Sequence, residues 1–228
     1  MQVESQARVP QGWCLPVAEV SKKWSKIRAI VSDWDGVFNN GAKNPEMPSP
    51  FYEADSMGTN LLRFMLWQRT GQLPPFAIIT GALNPTAQYL AEREHFSDYY
   101  GRVLNKAEAL AHFCAQRGLS PEEVAVFFDD ANDLGMAQQA GLRCLITRPG
   151  SDAFARFVYE KGWADYFTWQ TGGHFAVREI CEQLIALQGQ TEAVLSHRAD
   201  FSDTYAQYFA ERQARTLRLW QWDGQQWQ

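Results

Sequence analysis

Two aspartates two residues apart, Asp33 and Asp35, end the apolar run Ile30-Val31 and precede Gly36. Close carboxylates repel, so they need a cation or a shared proton. With a cation, one can act as nucleophile and the other as general acid and base. A second apolar run, Val124 to Phe128, ends the same way, in Asp129-Asp130-Ala131-Asn132-Asp133. Between them Phe76-Ala77-Ile78-Ile79 ends in Thr80-Gly81, and Asn105-Lys106 opens a helical pattern. A nucleophilic carboxylate, a second acid, a hydroxyl, a cation and carboxylates for a metal are the parts that phosphoryl transfer to a carboxylate requires. Each part also has a plainer reading. Asp-X-Asp-Gly occurs in turns and calcium loops, although Asn39-Asn40-Gly41-Ala42-Lys43 does not supply the further oxygen ligands. Thr80 alone reads as a turn residue and Lys106 as a solvated lysine at a helix start. Asp129, Asp130 and Asp133 read as an N-cap and first turn favoured by the helix dipole.

The elements that must position these residues alternate between strand and helix patterns. Strands are expected at Ile27 to Asp33, Phe76 to Thr80, Asp98 to Gly101, Val124 to Phe128, Cys144 to Thr147 and Tyr166 to Thr168. Helices are expected at Ser56 to Thr70, Pro85 to about Glu94, Lys106 to Arg117, Phe154 to Lys161 and Phe175 to Leu187, with Asn84 as a cap. Alternation of this kind implies a doubly wound α/β fold, a mostly parallel sheet covered on both faces. The Asn-, Gly- and Pro-rich stretch from Gly36 to Pro50 reads as a loop or small β-hairpin flap, with Phe51-Tyr52-Glu53-Ala54 as its second strand. Asp35 to Thr80 leaves room for that flap, one helix and one strand. Thr80 to Lys106 leaves no room for a cap domain. Residues 1–26 read as an N-terminal arm with a short helix at Val17 to Trp24. Residues 27–188 form the main domain. Residues 189–228 form a Trp-rich helical tail, with a helix over Phe201 to Leu219.

Composition narrows the partners. The 228 residues carry a net charge of −5, and no long basic run is present, which argues against nucleic acid and anionic membrane. Residues 1–16 lack the apolar core of a secretory signal, and no stretch is apolar enough to span a bilayer. The four cysteines are scattered without metal-ligand spacing and read as reduced thiols of a cytoplasmic protein.

The order Asp33-Trp34-Asp35-Gly36, Ile78-Ile79-Thr80-Gly81, Asn105-Lys106, Phe128-Asp129-Asp130-Ala131-Asn132-Asp133 resembles the haloacid dehalogenase superfamily of phosphohydrolases. Asp35-Gly36-Val37-Phe38, Asp55-Ser56-Met57-Gly58 and Gly172-Gly173-His174-Phe175-Ala176-Val177-Arg178-Glu179 are similar to the capless 3-deoxy-D-manno-octulosonate 8-phosphate phosphatase branch. The resemblance implies a Mg2+-dependent phosphatase of a small phosphate ester, with a pocket open unless its flap or a neighbouring subunit covers it. It implies Asp33 as nucleophile and metal ligand, and Asp35 as general acid and base with its carbonyl on the metal. Thr80, Gly81 and Lys106 would hold the phosphoryl group, Asp129 and Asp130 the metal, and Asp133 would support Lys106. It also implies a homo-oligomer, by resemblance a tetramer.

Departures from the pattern matter. Phe128 stands where the family usually has Gly, and Ala82 where the sugar-acid phosphatases commonly have Arg. Arg178 and Arg93 are the candidates to replace that cation, with Arg178 reading equally well as a salt-bridge partner. A sugar phosphate is the first expectation for the substrate. A nucleotide or protein phosphatase and a non-catalytic scaffold on the same fold are the competing readings. The intact acids weigh against the scaffold.

Overall fold

The computed structural model describes residues 9–44 and 49–228. Its strands are Gly12–Trp13 (β1), Ala29–Ser32 (β2), Phe76–Ile79 (β3), Asp98–Gly101 (β4), Val124–Phe128 (β5), Leu142–Leu145 (β6), Tyr166–Phe167 (β7) and Arg218–Gln221 (β8). They form one sheet in the order β1-β7-β6-β5-β2-β3-β4-β8. All neighbours are parallel except β1 on β7. The helices are Val17–Trp24 (α1), Glu53–Thr70 (α2), Pro85–Arg93 (α3), Lys106–Arg117 (α4), Leu134–Ala137 (α5), Asp152–Glu160 (α6), Ala176–Ala186 (α7), Thr191–Ala199 (α8) and Asp203–Gln213 (α9).

Successive strand side chains point to opposite faces, and both faces are covered. Ile30, Ile78 and Phe127 pack with Trp24, Leu62, Leu66, Leu90, Ile180, Leu184 and Val194. Val31, Ile79 and Val126 pack with Leu110, Phe113, Met136 and Val158 on the other side. This double burial is why the strands read as unbroken apolar runs and not as alternating ones. The doubly wound α/β reading is therefore the fold. Phe128 is fully buried in the second cluster, so the core itself accommodates a bulky side chain just before the double aspartate.

Three expectations need correction. Phe51 to Ala54 does not return as a strand. The helix α2 starts at Glu53, with Glu53 and Asp55 in its first turn, where carboxylates favour the helix N-terminus. Between Gly36 and Tyr52 the described residues form a loop with an isolated bridge joining Asp35 and Asn39. Residues 45–48 of the expected flap lie outside the described residues. The tail helix stops at Gln213, α8 precedes it, and the chain then pairs with β4 as β8. There Trp220 stacks on Tyr100 and donates to Asp98 at 2.9 Å, so sheet pairing overrides the helical spacing. The third correction is β1, read as part of the arm, which adds an antiparallel edge strand.

The tail docks on α2 through a buried polar cluster. Asn60 donates to the Tyr205 hydroxyl at 2.7 Å and accepts from the Tyr208 hydroxyl at 3.0 Å. Asn60→Ala removes both bonds inside the core and is expected to cost about 1–3 kcal/mol in urea unfolding. A loss below about 0.3 kcal/mol would show that the cluster contributes nothing to holding α9.

Candidate active site

Strand β2 lies between β3 and β5, so the chain leaves all three at one edge of the sheet, where open α/β sheets bind ligands. Asp33 and Asp35 follow β2, Thr80 and Gly81 follow β3, and Asp129 and Asp130 follow β5. Lys106 opens α4. These seven residues line one cavity of about 340 Å³, together with Lys43, Ala82, Asn132 and Arg148. Asp133 sits buried beside it. The turn after Asp35 requires glycine. Gly36 has φ of 88°, and a Cβ there would lie 2.0 Å from a carboxylate oxygen of Asp129. Gly172 is required for close approach, since its Cβ would meet the Gly36 carbonyl at 2.1 Å and that of Asn39 at 2.4 Å. The Gly172-Gly173 block thus braces the loop that carries Asp35.

Lys106 is buried and pairs with Asp33 at 2.6 Å and with Asp133. The other oxygen of Asp133 accepts from the backbone N–H groups of Asp129 and Asp130 at 3.2 and 3.1 Å. Both oxygens of Asp133 are therefore engaged, and it fixes Lys106 and the β5 loop together. Carboxylate oxygens of Asp33, Asp129 and Asp133 lie within 4.8 Å of one another. Asp129 places one oxygen 2.6 Å from Arg148. Its other oxygen is buried without a hydrogen-bond partner among the described residues. Asp130 accepts from the Ala131 N–H at 2.7 Å and from Arg148.

Burial pushes Asp33 above the ordinary carboxylate range, reinforced by Asp133 and opposed by Lys106. Burial does the same to Asp129, reinforced by Asp33 and Asp133 and opposed by Arg148. Lys106 is also desolvated, but Asp33 and Asp133 outweigh that cost and raise its pKa. For Asp130, burial is outweighed by the Ala131 hydrogen bond and Arg148, and its carboxyl is lowered. Asp33, Asp35, Asp129, Asp130 and Asp133 face Lys43, Lys106 and Arg148. With every carboxyl ionised, five negative charges would face three positive ones, a formal excess of two that a divalent cation would balance. Hard oxygen donors and the unpartnered Asp129 oxygen suit such an ion.

Sequence reasoning missed part of this site. Arg148 follows β6, the neighbour of β5, at the same sheet edge. A charged residue just past a fourth strand end was the available signal. Asn84 stands at the N-cap position of α3 but makes no cap bond, and its side chain turns to Asp35 and Thr80. Lys43 and Ser49 both contact the Asp35 carboxylate from the loop, and no pattern announced them. Neither of the substrate candidates Arg178 and Arg93 is among the residues that line the cavity. Arg178 pairs with Glu182 at 2.6 Å. Arg93 pairs with Glu53 and Glu94 and lies over the Phe51 ring.

Residues 37–148 match the family described as haloacid dehalogenase-like hydrolase. The chain is 29% identical over 179 residues to the 3-deoxy-D-manno-octulosonate 8-phosphate phosphatase of Escherichia coli (strain B / BL21-DE3), covering 77% of this chain and 88% of that one. It is similar to the solved structure of a subfamily III A hydrolase of the haloacid dehalogenase superfamily from Legionella pneumophila. There the TM-score is 0.65 and the identity 28%, over 80% of this chain and 95% of that one. The 3-deoxy-D-manno-octulosonate 8-phosphate phosphatase of Moraxella catarrhalis, solved with magnesium, phosphate and KDO, gives a TM-score of 0.65 at 26% identity, over 81% of this chain and 98% of that one. With sheet, motif order and both kinds of relative in agreement, the chain is similar to the haloacid dehalogenase-like hydrolases and is a phosphatase of that type.

Proposed function

We propose that this chain is a Mg2+-dependent phosphomonoesterase that works through an aspartyl phosphate on Asp33 and acts on a small, sugar-like phosphate. The observation that carries the reading is the buried cluster of Asp33, Lys106, Asp129 and Asp133, with its excess negative charge and unpartnered oxygen. Asp33, Asp129 and the main-chain carbonyl of Asp35 would hold Mg2+, with Asp130 acting through water. Bound there, Mg2+ supplies charge neutralisation for the carboxylates and the phosphoryl oxygens.

Asp33 attacks phosphorus, and the bond from phosphorus to the ester oxygen breaks. Asp35 gives its proton to that departing oxygen. Asp35 then takes a proton from water, the water oxygen attacks phosphorus, and the bond to Asp33 breaks to release inorganic phosphate. Thr80, the Gly81 N–H and Lys106 hold the non-bridging oxygens throughout. Asp133 keeps Lys106 in place.

The substrate reading rests on the mouth of the cavity. Ala82 offers no charge, and Lys43 and Arg148 are each committed to site carboxylates. A neutral sugar phosphate suits this mouth better than a phosphorylated sugar acid. Assembly into a homo-oligomer belongs to the same proposal. It is supported by the exposed aromatic pair Tyr52 and Phe175, since contiguous exposed apolar surface marks interaction sites.

Asp33→Asn keeps the shape but removes the attacking charge. It is expected to slow hydrolysis of p-nitrophenyl phosphate by at least about a thousandfold while the circular dichroism spectrum is retained. Asp35→Asn is expected to slow sugar phosphates by about a hundredfold more than the aryl phosphate, because only the poor leaving group needs the proton. Near-wild-type turnover in Asp33→Asn would end the covalent mechanism.

The charge cluster also sets a pH dependence. Asp33 and Asp129 have folded pKa values above their unfolded ones. The folded protein therefore binds more protons between the ordinary carboxylate range and the raised values, and stability falls as pH rises through that window. Without metal, Tm is expected to drop between about pH 5.5 and about pH 8, and millimolar Mg2+ to offset most of the drop. Mg2+ that leaves Tm unchanged at the higher pH would refute the site.

For the substrate, kcat/KM is compared side by side on neutral sugar phosphates and sugar-acid phosphates. The neutral ones are expected to lead by roughly tenfold or more, the cost of a missing charge-assisted contact. A clear preference for the sugar acids would overturn the substrate reading.

A further inference from the structure

Asp35 draws on two kinds of support. Lys43 and Ser49 reach it from the loop. Asn84 reaches it from the start of α3, on the core side, and is 9% exposed. The Asn84 amide nitrogen lies 2.9 Å from an Asp35 carboxylate oxygen and 3.0 Å from the Thr80 hydroxyl. An amide nitrogen carries two hydrogens, and this placement uses both. The orientation of the amide follows from its neighbour, because a carboxyl oxygen that carries no proton accepts whether or not the other oxygen is protonated. Asn84 is itself anchored, its backbone N–H donating to the Tyr99 hydroxyl at 3.0 Å. It stands at the helix N-cap position, yet its side chain makes no cap bond.

We propose that Asn84 is a positioning residue that ties the Asp35 carboxylate to the Thr80 hydroxyl, setting the proton donor against the phosphoryl-binding group. The proposal rests on Asp35 as the general acid of the reaction proposed above. One hydrogen of the amide aims the carboxylate. The other occupies a lone pair of Thr80, so the single Thr80 proton is left to donate into the cavity that Thr80 lines. The α3 cap is thereby given up to serve the site.

The test uses the full chain with Mg2+ and two substrates, p-nitrophenyl phosphate and the best sugar phosphate. Asn84→Asp keeps the size and the capping ability but cannot donate. Asn84→Ala removes the group. Both variants are expected to slow both substrates a few-fold and to lower the ratio of sugar-phosphate to aryl-phosphate kcat by about a further tenfold or more. Both variants are expected to keep the wild-type circular dichroism spectrum, because the Asn84 side chain makes no cap bond to lose. Asp35→Asn is the reference. If Asp35→Asn lowers the ratio and neither Asn84 variant does, Asn84 has no positioning role and the general acid stands. If Asp35→Asn leaves the ratio unchanged, the general acid falls and the role of Asn84 falls with it.

Discussion

The buried ammonium of Lys106 holds the site in its shape. It carries one positive charge between Asp33 and Asp133, both almost wholly shielded from solvent. Removing charges from water is costly, and that cost is offset only where geometry and further hydrogen bonds are good. Asp133 meets the condition by giving one oxygen to Lys106 and the other to two backbone N–H groups of the β5 loop. That single side chain therefore couples α4 to the end of β5, while Asp33 couples α4 to the end of β2. Parallel packing of β2 beside β5 brings these ends together. The remaining negative charge is shared by Asp33 and Asp129, which burial and mutual repulsion push toward protonation. A protein that keeps them this close is built for a cation.

Much of this could be read from the chain because strand ends concentrate the chemistry. Apolar runs buried on both faces stop abruptly at Asp33, Thr80 and Asp129, and the abruptness is a strong local signal. Lys106 was legible for a different reason, since Asn105 caps α4 by accepting from the Ala107 N–H. Asn84 has the same residue type in the same cap position, and there the inference went astray. A cap is a local choice, but Asn84 is claimed by two side chains that only tertiary folding delivers. Arg148 lies outside every motif and depends on β6 pairing with β5. The tail strand β8 failed for a related reason. Its pairing partner β4 is more than a hundred residues away, so spacing within the tail cannot reveal it.

The comparisons cover about four fifths of the chain. Beyond the motif-bearing part, the tail is built into the same core. Tyr205 and Tyr208 join the cluster that α2 and α7 share, and Arg212 pairs with Glu94 at 3.3 Å. Glu94 also accepts from Ser56 at 2.8 Å, and its backbone carbonyl accepts from the buried Arg63 at 2.6 Å. These contacts run beneath α2 and α3, the two helices that flank the loop and Asn84. An addition at the β4 edge is thus connected by packing to the segment that shapes the mouth.

The site divides into two halves with different structural origins. Asp33, Lys106, Asp129 and Asp133 are buried side chains held by the core. Their geometry leaves little freedom, which on the proposed reading suits the invariant end of every phosphate ester. Asp35 is more exposed and takes its partners from the loop and from α3. On the same proposed reading that half faces the leaving group, the part of the ester that differs between substrates. A change in the loop would then alter proton delivery and selectivity while leaving attack at phosphorus intact. The same sheet can in this way keep one phosphoryl-transfer centre and accept different alcohols, with the difference written in Lys43, Ser49 and Asn84 and not in the aspartates.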